Sequence, residues 1–363
     1  MALPPSRGFR ISRRQFAVGG TAAAAVLALD SAAAAETAPD VERWVAKPPA
    51  GFSPLSVSGK VVEVTKGTSP SDLMQKNQLW PKPEVARLML ERAMTEFTGA
   101  PNLVAAIRKF IHPSDVVAVK VNGIAGQSGC TMAVNFELIL PVVEAVLAAG
   151  VPPENVTVYE QYPNFLSGTR VNIKGNHLPP GVQAKFHANH LADMPYIRVF
   201  ERVRTKYCRF LTRATAVINM SLIKDHSICG YTGTMKNMTH GSVINPHDHH
   251  RRHADPQIAL LYHHPILRSR VRLHITDGFK IIYDEGPLDR NPNRRILHGA
   301  VFVATDPVAM DTIGWKVIDD ARLGHRLKSL ADSHREPSYI QTAAGLGLGV
   351  HDLNAIRLRT VHI

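Results

Sequence analysis

From residue 221 to residue 241 the chain reads Ser-Leu-Ile-Lys-Asp-His-Ser-Ile-Cys-Gly-Tyr-Thr-Gly-Thr-Met-Lys-Asn-Met-Thr-His-Gly. Lys224 and Lys236 carry compact ammonium charges, suited to binding and polarising a carboxylate or phosphate. His226 can donate or accept a proton near neutral pH, and Asn237 can position a ligand by hydrogen bonds. The interleaved glycines permit close backbone approach. The same composition would also suit a long, solvated surface loop. Earlier in the chain, Lys120 and Asn122 extend the substrate-binding set. Asp277 is read as a catalytic carboxylate that holds a cation or orients His226. Asp306 and Asp311 lie about one helical turn apart, as paired carboxylates for a cation, a proton or a substrate. Asp306 has a competing local reading, because Asp before Pro307 at a strand-to-helix junction makes a good helix cap.

A second cluster follows at once: His240, His247, His249, His250 and His253, with Asp248 among them and Asp255 just beyond. Imidazoles and carboxylates are the usual donors for zinc, copper, nickel or non-haem iron. The spacing of His247 and His249, together with the adjacent His240, marks these three as metal ligands for a mononuclear divalent ion. Arg251 and Arg252 oppose a cation there, and a solvated loop is the alternative. Glu160 is open between base, ligand and surface carboxylate.

These residues need a scaffold. The run at 115–121 is nearly all β-branched and reads as a buried parallel strand; 156–159, 182–186, 216–220, 271–276, 300–304 and 356–361 read as further strands, as does 61–64. Apolar spacing predicts helices over 83–97, 102–110, 135–149 and 307–318. Strands alternating with helices give an α/β fold, a mostly parallel Rossmann-like sheet with helices on both faces. Ligands in such sheets bind beyond the carboxyl ends of the strands, where the polar residues named above fall. Gly-x-Ser-x-Gly and phosphate-loop motifs are missing from the sequence.

Several of these stretches, taken in order, resemble the family called domain of unknown function 362. The strand at 216–220 is followed by Lys224-Asp-His226 and Gly233-Thr-Met-Lys236-Asn237. Thr276-Asp277-Gly278 and Glu285-Gly286-Pro287 come next, then Ala304-Thr-Asp-Pro-Val-Ala-Met-Asp311. Lys120-Val-Asn122 and Thr131 match a weaker N-terminal motif. The resemblance covers roughly residues 115–320. It implies no established reaction. Many members carry a ferredoxin-like cysteine module, which implies redox association. This chain has three cysteines, Cys130, Cys208 and Cys229, and no Cys-x-x-Cys pair. A cysteine-ligated iron–sulfur cluster is therefore not expected, and redox chemistry would need an external partner.

The N-terminus carries an address. Ser12-Arg13-Arg14-Gln15-Phe16 precedes an apolar stretch at 17–29 and the small residues Ala33-Ala34-Ala35. This is the layout of a twin-arginine export signal, with Glu36 as the mature start. The expected organisation is a signal peptide at 1–35, an extended arm at 36–57 and a single α/β domain at 58–363. The partner during export is the twin-arginine translocase, and the destination is the periplasm. The apolar stretch falls short of the roughly 20 residues that span a bilayer, so a membrane tie would require an uncleaved signal. Residues 1–35 hold four arginines and one aspartate, and their removal takes the formal charge from +12 to +9. A basic surface favours anionic partners, and the absence of Lys/Arg segments interleaved with aromatics argues against nucleic acid. Three readings fit: an enzyme acting on a small organic anion by proton transfer or partner-coupled redox chemistry, an accessory protein that binds a metal or metallocofactor through its histidines, and a non-catalytic interaction domain.

Overall fold

The computed structural model describes residues 39–126, 131–173 and 175–363. The twin-arginine segment, its cleavage site and Cys130 lie outside the described residues. The strands are β1 (Lys60–Thr65), β2 (Val117–Lys120), β3 (Val156–Glu160), β4 (Gln183–Phe186), β5 (Ile197–Phe200), β6 (Val203–Thr205), β7 (Ala216–His226), β8 (Gly230–Thr232), β9 (Val271–Ile282), β10 (Arg295–Ala304) and β11 (Arg357–His362). One sheet takes nine of them, in the order β11-β1-β10-β9-β7-β2-β3-β4, with β8 folded back on β7. From β9 to β4 every neighbouring pair is parallel. β10 runs antiparallel to both β9 and β1, and β11 is parallel to β1. β5 and β6 form a separate hairpin.

The pleat explains the layers. Successive side chains of a strand point to opposite faces, and here they enter two different cores. Val62, Val117, Val119, Ile218, Met220 and Val301 join one cluster with the helix Pro83–Thr98. Val61, Ala118, Val217, Ala300 and Phe302 join the other with the helix Pro307–Gly324. The sheet is therefore covered on both faces, which is why its central strands are apolar throughout instead of alternating. The helix Pro83–Thr98 shows what holds such an element. Pro83 sits at its first position, Gly99 closes it at φ 72°, and Met89, Leu90 and Met94 are fully buried. Burial contributes roughly 1.5–3 kcal/mol per large apolar side chain, more than helix propensity supplies.

Two strands outrun their predicted ends. The reading of 216–220 stops where Ser221 and Lys224 break the apolar run, yet β7 continues to His226. Its polar tail stays in the ladder because β8 pairs Lys224 with Thr232 and His226 with Gly230. β9 likewise continues past Thr276 to Ile282, carried by buried Phe279, Ile281 and Ile282. The segment at 221–241 is consequently a strand, a tight hairpin and a short helix, nearly all of it buried. The arm after the short helix Pro39–Glu42 is pinned along the body, with Trp44 O accepting from Arg270, Leu55 N donating to Lys109 O, and Val57 N to Thr305.

Candidate functional site

Strand register builds the floor of the site. Pairing sets Tyr159, Lys120, Asn219 and His274 side by side across β3, β2, β7 and β9. All four are buried, so each polar group needs a partner. Asn219 Nδ2 donates to His274 Nδ1 at 3.1 Å and to Thr234 O at 2.9 Å. A neutral imidazole has one N–H, so the proton of His274 is on Nε2 and reaches the Tyr262 hydroxyl, 3.1 Å away. Burial holds His274 in this neutral form, its pKa pushed down to about 3.

Asn237 joins the floor to the ligand side. Its Nδ2 donates to Asn219 Oδ1 at 2.7 Å and Met220 O at 3.0 Å. Its Oδ1 accepts from Lys120 Nζ and from Asn122 Nδ2, each at 3.1 Å. Asn122 Oδ1 accepts in turn from Lys224 Nζ at 2.7 Å. Lys120 also lies 3.2 Å from Glu160 Oε1, which takes the Gly123 N–H as well, while Oε2 accepts from Gln161 N. The sequence-derived set of Lys120, Asn122, Lys224 and Asn237 is thus one hydrogen-bonded unit.

The short helix Thr234–Thr239 carries Lys236 and Asn237. A helix this short does not persist alone, since isolated helices below about 12–15 residues are marginal in water. Asp311 holds it: its carboxylate accepts from Thr234 N at 2.5 Å and Met235 N at 3.0 Å. Burial pushes the Asp311 carboxyl up to about 7, against the pull of those two N–H groups. Gly233 makes the approach feasible, because a Cβ there would lie 2.3 Å from the Tyr231 hydroxyl and 2.6 Å from Asp311 Oδ1.

Asp277 and Asp306 do related work elsewhere, and neither lines the cavity described below. Asp277 is not at a strand end, since β9 runs on, and its Oδ2 accepts from Asn135 N and Nδ2 at 2.8 Å each. It thereby fixes the start of the helix Phe136–Ala148. Asp306 caps the helix Pro307–Gly324 through Ala309 N at 2.8 Å, and it also accepts from Gly59 N and Val350 N. Asp306 and Asp311 do not form a pair facing a ligand: each is spent on backbone N–H groups.

Beyond the carboxyl ends of β2, β3 and β7 lies a cavity of ≈ 260 Å³. Lys120, Asn122, Glu160, Lys236 and Asn237 form its polar side, and His226, His240, His247 and His250 line it further. Lys224 stands behind Asn122, outside the lining. Burial pushes Lys224 down to about 7, with Lys236 and Lys120 adding repulsion and Glu160 opposing it. Burial also lowers Lys120, opposed by Glu160, and lowers Lys236, opposed by the Cys229 thiol that it contacts. That thiol is raised by burial, so it stays protonated. Cys208 and Cys229 are both buried free thiols.

The imidazoles differ in what they present. His226 Nδ1 accepts from Ile228 N at 3.1 Å, which leaves its proton on Nε2. His250 Nδ1 lies 3.0 Å from Pro246 O, a carbonyl that can only accept, so His250 keeps a lone pair on Nε2. The two rings stack with centroids 5.6 Å apart. One is an N–H donor and the other a proton acceptor. Both are held neutral, mainly by burial and then by Lys236, with His250 near 4 and His226 lower still. His240 is satisfied by Thr239 Oγ1 and by the carbonyl of His249.

The expected metal set is not assembled. His240 and His247 line the cavity, but His249 is turned into the protein, with both ring nitrogens buried and lacking hydrogen-bond partners among the described residues. Among the described residues no three His, Cys, Asp or Glu side chains converge on a point that could hold a metal ion. His250, which the His-x-His spacing passes over, also lines the cavity. Its ring is fixed by the carbonyl of Pro246, four residues earlier, a contact that the sequence does not signal. Asn219 was hidden inside an apolar strand, and Glu160 gains its meaning only from Lys120 on the neighbouring strand.

The model of the domain of unknown function DUF362 matches residues 117–316, more than half of the chain. The chain belongs to the DUF362 family. The DUF362 match runs from β2 into the helix Pro307–Gly324 and includes every residue that lines the cavity. A comparison with curated proteins gave no match.

Proposed function

We propose that this DUF362 protein is an exported enzyme that moves a proton on a small organic anion, next to a carbonyl or carboxylate. The observation that carries the reading is the pair of stacked imidazoles, one donor and one acceptor, beside Lys236 at the carboxyl edge of the parallel strands. Lys236 and Asn122 bind the anion. His250 Nε2 takes the proton from the carbon beside the carbonyl, and the charge that develops on oxygen meets the His226 N–H and the Lys236 ammonium. Such donors aimed at developing charge in a water-poor site lower the barrier most. The ligand's own charge offsets the repulsion from Lys236 that makes an imidazolium costly at His250.

The parallel strands β2, β3, β4, β7 and β9 support reading that half of the sheet as Rossmann-like, with its ligand at the edge where such folds bind. The Arg13-Arg14 motif supports export to the periplasm by the twin-arginine route. The test is proton NMR in deuterium oxide on a mixture of small oxo- and hydroxycarboxylates. Deuterium should enter a carbon beside a carbonyl with the wild-type protein and not with His250→Gln or His226→Gln. Equal exchange in all three proteins would sink the assignment.

A further inference from the structure

We propose that the natural ligand class of this cavity is an organic monoanion with a flat, conjugated body, in chemical terms an aryl-bearing carboxylate whose carbon beside the carbonyl still carries hydrogen, as in an arylpyruvate; benzoate serves below only as a probe of the ring and the charge. This rests on the reading of the site as an anion-binding acid–base centre and narrows it.

Size comes first. At ≈ 260 Å³ the cavity exceeds what an inorganic oxyanion or acetate fills, given that one water occupies roughly 30 Å³ in the liquid. Most of the space must be taken by a body and not by the charged group. Charge comes second. Lys120 is compensated by Glu160 at 3.2 Å, and Lys224 lies outside the lining. Lys236 contacts the neutral Cys229 thiol, and among the described residues no carboxylate pairs with it. Among the described lining residues the surplus is therefore a single cation, which matches one carboxylate and would leave a second one buried and unpaired, a costly state.

The shape of the body follows from the rest of the lining. Tyr162 and Phe165 meet edge to face at 5.1 Å and are both only half-buried, so ring surface is left open to the cavity. Ile124, Pro246 and Pro287 add apolar surface. The stacked pair His226 and His250, inclined by 20°, supplies further π faces, and neutral imidazoles can cover an apolar ring without the desolvation cost of a charge. Aromatic pairs are worth ≈ 0.5–1.5 kcal/mol beyond the area they bury. A flat ring is therefore favoured over a saturated one of equal size.

Isothermal titration of the purified protein tests this with benzoate, cyclohexanecarboxylate, acetate, inorganic phosphate and neutral benzamide. Benzoate should bind at least about tenfold tighter than each of the others, a difference of about 1.4 kcal/mol. Lys236→Met should abolish binding of benzoate and acetate alike. Phe165→Ala and the milder Phe165→Leu should erase the preference for benzoate over acetate while leaving acetate affinity unchanged. If phosphate, acetate or cyclohexanecarboxylate equals benzoate, or if Phe165→Leu keeps the preference, the aryl assignment is overturned and the anion-binding site stands. If none of the anions binds, both fall. Benzoate binding as expected, with no His226- or His250-dependent deuterium exchange at the CH2 of phenylpyruvate, would remove the acid–base reading alone.

Discussion

Lys224 sits where pH can act on the site. Its ammonium is held down to about 7 by burial, and it reaches the cavity only through Asn122. An anion bound beside Lys236 favours the protonated form, so binding takes up a proton. Affinity should be constant below about pH 7 and fall above it, by up to about tenfold per pH unit for one proton. Titrations from pH 6 to 9 check this, and Lys224→Met should flatten the profile. Gly241 makes a second residue-scale case. A Cβ there would lie 2.4 Å from Asn237 O and 2.6 Å from Lys120 Cε. Gly241→Ala should displace Lys120 and cost about tenfold in anion affinity, with a stability loss of roughly 1–3 kcal/mol. Circular-dichroism melting beside the titration separates the two effects.

At the scale of elements, the carboxylates decide which helix holds what. Asp311 accepts both leading N–H groups of the helix that carries Lys236 and Asn237. Hydrogen bonds to a charged group contribute about 1.5–3 kcal/mol each. Asp311→Ala should therefore lower Tm by several degrees and weaken anion binding as well. Asp306→Ala removes a cap from the helix Pro307–Gly324, at a cost of about 0.5–2 kcal/mol, and should leave anion affinity unchanged. Equal effects of the two variants on affinity would contradict this division. The sequence made Asp306 legible as a cap, because its role is local and Pro307 follows it. Asp311 and Asp277 were misleading, because their partners at Thr234 and Asn135 are remote in sequence. Lys120, Asn122, Lys224 and Asn237 were legible as polar residues that interrupt or follow apolar strand runs, and the structure brings them together in one hydrogen-bonded unit. Their shared network was not, because it depends on the register of β2 against β7.

For the whole molecule, short continuous apolar runs between period-3.6 helical stretches were enough to give the α/β layers. The antiparallel β10 and the return of β11 beside β1 were not readable, since strand direction depends on long-range pairing. The basic charge of the chain, +12 in the full sequence, would raise encounter rates with the proposed anionic ligand at low salt. Export is tested at this scale. Replacing Arg13 and Arg14 together by lysine should trap the precursor in the cytoplasm, as cell fractionation with immunoblotting would show; normal periplasmic delivery would refute the twin-arginine reading.

The amide at Asn237 gives the network a direction. Its nitrogen faces two acceptors, Asn219 Oδ1 and Met220 O, and its oxygen faces two donors. Hydrolysis to aspartate would set oxygen against oxygen on one side and add a negative charge beside Lys120. Chemical ageing at this one position would thus do what a mutation does and weaken the anion binding proposed for the cavity. The burial of Asn237 in a pinned helix, only 3% exposed, therefore also protects the working life of the site.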